Sequence, residues 1–332
     1  MGEETEGDSN SNDLHQVLVL GSPWVLPALQ SQFSNRFHFL LPSLSDLPLL
    51  QFLSSYAQST QALLIPGGCF LVTSPVLDCL PALKLLVTTS AGVDHLDLPE
   101  LRRRQIAIAY VPDLYSEDVA DLAVGLLIDV LMKVSARDRC FRLRLPPTTN
   151  PEFPPLGLKL NGKRIGIVGL GKIGSKVAKR LEGFECKISY NSRTKKPLVP
   201  YSYYSNVHEL ASNCDGLVLC CGLTKETQHM INREVMAALG KDGVIINVGR
   251  GAIIDEKAMV ECLIKGEIGG VGLDVFENEP EIPEELFNFD NVVLSPHVAV
   301  MTHETLEGLS RLVVDNLEAL FSNKPLVSPF PN

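Results

Sequence analysis

No CxxC pair occurs among the eight cysteines, Cys69, Cys79, Cys140, Cys186, Cys214, Cys220, Cys221 and Cys262. That excludes a spaced metal or dithiol motif, and reduced structural thiols are expected, with no disulfide and no metal. Long apolar runs are also missing. The richest stretch, Leu122 to Met132, is broken by Asp129 and falls well short of the roughly 18 residues a membrane helix needs. Basic residues are scarce, with 29 Lys+Arg against 39 Asp+Glu and a net charge of −10. Nucleic acid and anionic membrane are thereby excluded as main partners, although a local basic pocket survives. The start, Met1-Gly2-Glu3-Glu4-Thr5-Glu6, is acidic and reads as neither a signal nor a transit peptide. Ser328-Pro329-Phe330-Pro331-Asn332 is no peroxisomal address. A cytoplasmic protein is expected.

What is present is ordinary globular material: 332 residues, 45% hydrophobic and 20% charged, enough for two domains. Residues 1–15 read as a disordered tail. Short apolar runs bounded by turn residues follow at Val17–Leu20, Phe37–Leu41, Ala62–Ile65, Leu83–Thr88 and Ile106–Tyr110. The spacing of Val119, Leu122, Ala123, Leu126, Leu127 and Val130 predicts a helix over Glu117–Val134, with Ser116 as its N-cap. Arg137 to Asn161, holding Pro146, Pro147, Pro151, Pro154 and Pro155, reads as a loop. Strand and helix then alternate cleanly. Strands are expected at Arg164–Val168, Lys187–Asn191, Leu217–Cys221, Val244–Val248, Val271–Val275 and Val292–Ser295. Helices fit at Ile173–Glu182, Asn206–Ser212, Glu234–Leu239, Glu256–Lys265 and Glu304–Phe321. The class is α/β, with parallel sheets covered on both faces.

Three signals carry chemistry. The run Arg164-Ile165-Gly166-Ile167-Val168-Gly169-Leu170-Gly171-Lys172-Ile173-Gly174 takes a strand into Gly-x-Gly-x-x-Gly and opens a helix. Gly169 suits the tight turn, Gly171 the approach of a pyrophosphate, and Gly174 close helix–strand packing. The second signal is an absence. Ser189-Tyr190-Asn191-Ser192-Arg193-Thr194-Lys195-Lys196 ends the next strand with no acid to accept from a ribose 2′-hydroxyl. Hydroxyls and an arginine fork favour a 2′-phosphate, so NADP(H) is expected over NAD(H).

The third signal is a set of polar strand ends, Asn247-Val248-Gly249-Arg250-Gly251, Asp274-Val275-Phe276-Glu277-Asn278-Glu279-Pro280 and Ser295-Pro296-His297. In open α/β sheets such ends line the ligand crevice. An arginine to grip a carboxylate, a histidine to give a proton and a glutamate to orient it suit reduction of a 2-keto acid. His38, His95, His208 and His229 fall in or beside predicted elements and read as structural.

On these residues, with Thr88-Thr89-Ser90-Ala91-Gly92-Val93-Asp94-His95-Leu96-Asp97 and Asp118-Val119-Ala120-Asp121-Leu122-Ala123, the chain from about residue 61 to 325 resembles the D-isomer-specific 2-hydroxyacid dehydrogenase family. Within it, the resemblance is greatest to plant glyoxylate/hydroxypyruvate reductases and hydroxyphenylpyruvate reductases. The resemblance implies two Rossmann-like doubly wound domains, the NADP-binding domain of residues 112–299 inserted into a substrate domain of 16–111 plus 300–332. It implies Arg250, Glu279 and His297 as catalytic residues, with substrate also meeting Ala91 and Gly92. It implies cofactor contacts at Leu170, Gly171, Lys172, Ile173, Ser192, Arg193, Thr194, Cys221, Gly222, Leu223, Val248, Gly249 and Asp274. It implies a homodimer formed partly through the Glu117–Val134 helix. The sequence departs from the family where Arg142-Leu143-Arg144-Leu145-Pro146-Pro147 replaces a Trp-containing segment, and Trp24 is the only tryptophan. The rival from another class is a dinucleotide-sensing, co-repressor-like binding protein on the same fold.

Overall fold

The structure, a computed structural model, describes residues 14–21, 27, 36–68, 70–143 and 156–331. Most of the expected tail, Trp24, Cys69 and the proline-rich part of the expected loop lie outside the described residues. Two compact units are present, Met1–Leu114 with His303–Asn332, and Tyr115–Thr302.

The first unit is built on a parallel sheet of β1 (His15–Val19), β2 (Phe37–Leu40), β3 (Ala62–Ile65), β4 (Leu85–Thr88) and β5 (Ala107–Ala109), in the order β2-β1-β3-β4-β5. Every residue of β3 and β4 is buried, which explains their uninterrupted apolar runs. Helices α1 (Leu49–Tyr56), α2 (Ser74–Asp78) and α3 (Leu98–Arg103) connect the strands. The C-terminal helix, His303–Phe321, packs on β4 and buries Leu309, Val313 and Leu317. His15 is not part of a tail: it opens β1, and its ring stacks on Phe321 with centroids 3.9 Å apart.

The second unit carries a seven-stranded parallel sheet: β6 (Arg164–Val168), β7 (Lys187–Asn191), β8 (Ser202–Tyr204), β9 (Gly216–Leu219), β10 (Val244–Asn247), β11 (Gly270–Leu273) and β12 (Val292–Leu294). Their order is β12-β11-β10-β9-β6-β7-β8. The order reverses between β6 and β9, the switch point beside which doubly wound sheets bind ligands. Helix α4 (Ser116–Met132) lies against β10, β11 and β12, with Leu126 and Val130 filling the space left by Gly272. Helix α5 is Val134–Arg142, and α6 (Lys172–Glu182) follows β6. Arg180 of α6 bonds Asp121 at 2.6 Å and Glu117 at 2.7 Å, tying α6 to α4, and Lys176 also pairs with Glu117. These cations hold the Glu117 carboxyl down to about 2. The remaining helices are α7 (Val207–Ser212), α8 (Arg233–Leu239) and α9 (Glu256–Ile264).

Two expectations need correction here. Residues 137–142 form the end of α5 rather than loop. Lys133, at φ 55°, separates α5 from α4, and the Asp129 carboxylate accepts from the Ser135 amide at 2.8 Å. Nor is Ser116 the cap of α4; it is the first helical residue, behind Tyr115, and Glu117 and Asp118 supply the negative charge a helix start favours.

Among the described residues, no helix is long and apolar enough to cross a membrane. The described cysteines are free, and no group of three or more His, Cys, Asp or Glu there is arranged to hold a metal.

Candidate active site

The turn after β6 is built by its glycines. Gly169 adopts φ +96°, and a Cβ there would lie 2.7 Å from the Cys221 amide nitrogen. A Cβ on Gly174 would lie 2.2 Å from the Gly169 carbonyl oxygen, so α6 approaches β6 more closely than any side chain permits. At Gly171 a Cβ would meet nothing within 4 Å. The backbone therefore faces open space where α6 begins at Lys172 and Ile173, while Leu170 is buried beneath. A bare backbone at a helix start, next to the switch point, fits a pyrophosphate.

The end of β7 supplies the second part. Ser192 Oγ donates to the Thr194 carbonyl at 2.7 Å, and Tyr203 donates its hydroxyl to the Ser192 carbonyl at 3.3 Å. Buried Tyr190 accepts from the Lys196 amide at 2.7 Å, which fixes the turn and leaves Arg193 and Thr194 on the surface. The Glu226 carboxyl lies below its ordinary range, chiefly through a hydrogen bond from Thr224, with smaller help from the charges of Lys225 and Arg193.

The loops after β9 and β10 meet the glycine turn. A Cβ on Gly249 would lie 2.7 Å from the Cys221 carbonyl oxygen, so Cys221 is flanked by Gly169 and Gly249. Burial pushes the Cys221 thiol up to about 11, which keeps it neutral near pH 7 and a poor nucleophile. Gly222 and Leu223 continue outward, with the Gly222 carbonyl accepting from Thr227 Oγ1 at 2.9 Å. Val248 is buried beside them.

Asn247, fully buried at the end of β10, shapes the next loop. Its Oδ1 accepts from the Gly249 amide at 3.0 Å, and its Nδ2 donates to the Arg250 carbonyl at 2.9 Å. Arg250 Nη1 in turn donates to the Gly249 carbonyl at 2.8 Å. The Glu279 carboxylate accepts from the Phe276 amide at 3.0 Å and pairs with His297 Nδ1 at 2.7 Å. Burial raises the Glu279 carboxyl, but the His297 hydrogen bond, the Phe276 amide and the charges of His297 and Arg250 outweigh it, and the net shift is downward. The charges of Arg250 and His297 thus both act on the Glu279 carboxyl.

His297 itself sits in the left-handed region at φ 55°, which a non-glycine residue adopts only where neighbouring bonds hold it. Asp274 provides that hold. Its buried carboxylate accepts from Ser295 Oγ at 2.5 Å, the Val298 amide at 3.0 Å and the Ala299 amide at 3.3 Å. Burial raises the Asp274 carboxyl, partly offset by these donors and by the charge of His297. Thr302 Oγ1 donates to Asp118 of α4 at 2.8 Å, keeping residues 300–302 with this unit. Sequence reasoning gave Asn247 no role and did not anticipate that Asp274 holds the His297 loop; its place directly after β11, opposite Ser295 after β12, is the only sequence signal for it.

Ala91 and Gly92 belong to the other unit, in the loop leaving β4. There Thr89 Oγ1 accepts from the Gly67 amide at 2.7 Å, Thr88 Oγ1 contacts His95 Nε2 at 3.2 Å, and Ala91 is exposed.

With this geometry in hand, the comparisons with known proteins are consistent with one another. The family model "D-isomer specific 2-hydroxyacid dehydrogenase, NAD binding domain" matches residues 124–299. A glyoxylate/hydroxypyruvate reductase of Arabidopsis thaliana is 52% identical over 314 residues, 94% of this chain and 96% of the relative. A hydroxyphenylpyruvate reductase of Plectranthus scutellarioides is 47% identical over 305 residues, 91% of this chain and 95% of the relative. Among solved structures, an NADPH-dependent glyoxylate/hydroxypyruvate reductase of Sinorhizobium meliloti, in complex with NADP and malonate, matches with a TM-score of 0.84 at 33% identity, covering 95% of this chain and 96% of that one.

Proposed function

The chain belongs to the D-isomer-specific 2-hydroxyacid dehydrogenase family, and we propose that it reduces glyoxylate, hydroxypyruvate or an aromatic pyruvate to the D-2-hydroxy acid with NADPH. The observation that carries this reading is the Glu279 carboxylate, paired with His297 and lowered in part by the charge of Arg250. In this mechanism an ionised Glu279 accepts from Nδ1–H of His297, which fixes the ring and leaves Nε2 to deliver a proton to the substrate oxygen. Arg250 grips the substrate carboxylate and polarises the keto carbonyl. The backbone at Ala91 and Gly92 takes the other side of the carboxylate. When bound, the reduced nicotinamide supplies the hydride to the keto carbon. Leu170 to Ile173 hold its pyrophosphate, Ser192, Arg193 and Thr194 the adenosine phosphate, and Cys221 to Leu223, Val248, Gly249 and Asp274 the nicotinamide half. A dinucleotide-sensing binding role is less well supported, since the named relatives are reductases. A panel of glyoxylate, hydroxypyruvate and hydroxyphenylpyruvate, followed by loss of NADPH absorbance, tests the reading. Purified protein that oxidises NADPH with none of them ends it.

The preference for NADPH rests on the acid-free turn after β7. Arg193→Asp removes a guanidinium and sets a carboxylate against the 2′-phosphate. It is expected to lower kcat/KM with NADPH by about 10- to 100-fold, the worth of a charge-assisted hydrogen bond and more, while NADH kinetics improve or hold. An unchanged NADPH-to-NADH ratio would place the phosphate site elsewhere.

We also propose a homodimer. The contact is proposed to run partly along α4, whose inner face is used within its own unit, and on to the apolar residues beyond its end. Phe141, in α5, is 83% exposed and Leu143, just past its end, 63%; Leu156 is 87% exposed, and Val134 and Leu158 are half-exposed. Exposed large apolar side chains close along one segment are a natural place for association. Replacing Phe141 and Leu143 together by Asp is expected to yield a monomer by light scattering; a variant that keeps the wild-type mass removes this surface from the dimer.

A further inference from the structure

We infer that His229 is a positioning residue for keto-acid reduction, clamping the loop that bears Arg250 to the loop that bears Glu279; the inference rests on the reading of that site given above. His229 touches both loops at once. Its amide donates to the carbonyl of Ala252, two residues after Arg250, at 2.8 Å. Its ring Nε2 pairs with Oε1 of Glu277, two residues before Glu279, at 2.7 Å. The backbone contact continues as a short ladder, with the Ile231 amide donating to Ile253 at 3.0 Å and the Asp255 amide returning to Ile231 at 3.1 Å. Segment 229–231 is therefore fixed to segment 252–255, and only the imidazole reaches on to Glu277.

The two loops are also in direct contact. A Cβ on Gly251 would lie 1.8 Å from the Phe276 carbonyl carbon and 2.3 Å from the Glu277 nitrogen, so displacement of one loop is passed to the other. Buried Glu256 adds a second tie, its Oε2 accepting from the Glu277 amide at 3.1 Å. From there the path to the chemistry is short: Phe276 donates to Glu279, and Glu279 bonds His297. Glu277–His229 and Glu279–His297 are thus two histidine–glutamate pairs on one stretch of chain, one aimed at the Arg250 loop and one at the proton donor. The His229 and Glu277 side chains remain 41% and 25% exposed, so the pair contributes little to global stability. Its effect is on placement, where an error of about 1 Å costs up to about 10²-fold in rate.

The test compares His229→Leu, which loses the ring contact, with His229→Gln, whose side-chain amide can still donate to Glu277. Glu277→Ala, which leaves no acceptor for the ring, serves as a second route to the same loss. His229→Leu is expected to lower kcat by about 10-fold or more with little change in KM for NADPH, and His229→Gln to restore most of it, at unchanged Tm. A second readout needs no turnover: in the cofactor-free protein, the ring N–H resonance of His297 moves in His229→Leu and stays in His229→Gln. Wild-type kcat with an unmoved His297 resonance in His229→Leu overturns the inference, as does equal impairment of the Leu and Gln variants. If the wild-type protein oxidises no NADPH, the keto-acid reading falls, and the His297 resonance alone decides the clamp.

Discussion

Arg250→Gln is expected to lower kcat/KM for NADPH-dependent keto-acid reduction by about 10²- to 10³-fold, the usual cost of removing one donor aimed at a developing oxyanion. The guanidinium bonds the Gly249 carbonyl of its own loop, but other groups also hold that backbone. Asn247 fixes its backbone from below, and Gly251 is packed against Phe276. Glutamine should therefore occupy the same path with an unchanged Tm, having lost the charge and the two-pronged donor that matches a carboxylate. The charge also helps hold Glu279 ionised, so the variant should show its deficit most strongly at acid pH. There Glu279 protonates earlier and releases His297. Steady-state kinetics with hydroxypyruvate across pH check both points. Wild-type kcat/KM in the variant would remove arginine from the mechanism.

Legibility in the sequence followed burial and contiguity. The strands β6 and β7 run over the residues expected, Arg164–Val168 and Lys187–Asn191, because each is a short apolar or alternating run closed by turn residues. Helix α5 escaped notice because it is polar almost all round. Only Ala136 and Cys140 face inward, and Arg142 pairs with Asp138 one turn back. Helix α1 reads locally as an apolar run, Leu49-Leu50-Gln51-Phe52-Leu53, and buries only Leu53. The edge strand β8 is three residues long and leaves too little pattern to detect. The glycine turn was legible for a similar reason to β6: its physical demands fall on adjacent positions. The Glu277–His229 pair spans 48 positions and joins side chains of no distinctive local pattern. Tertiary structure alone brings them together.

His297→Gln is expected to show a kcat lower by about 10²- to 10⁴-fold, the range covered by a positioned general acid, with NADPH binding retained because the proposed cofactor contacts lie on other loops. The sharper discrimination comes from Glu279→Gln. The Glu279 carboxyl is held below its ordinary range in the folded protein, despite the opposing effect of burial. A depressed carboxylate contributes stability that is present above its unfolded value and is lost as pH falls through the lower folded value. Wild-type protein should thus keep the Glu279–His297 pair intact into pH values where a free glutamate is already protonating, and lose activity on the acid side only below them. Glu279→Gln removes the titrating carboxylate, so the acid-side loss assigned to Glu279 should disappear, in addition to a loss of kcat at the optimum. If Glu279→Gln lowers kcat with the acid limb unchanged, protonation of Glu279 does not set that limb. If kcat and profile are both unchanged, the 2.7 Å contact between Glu279 and His297 has no part in proton delivery.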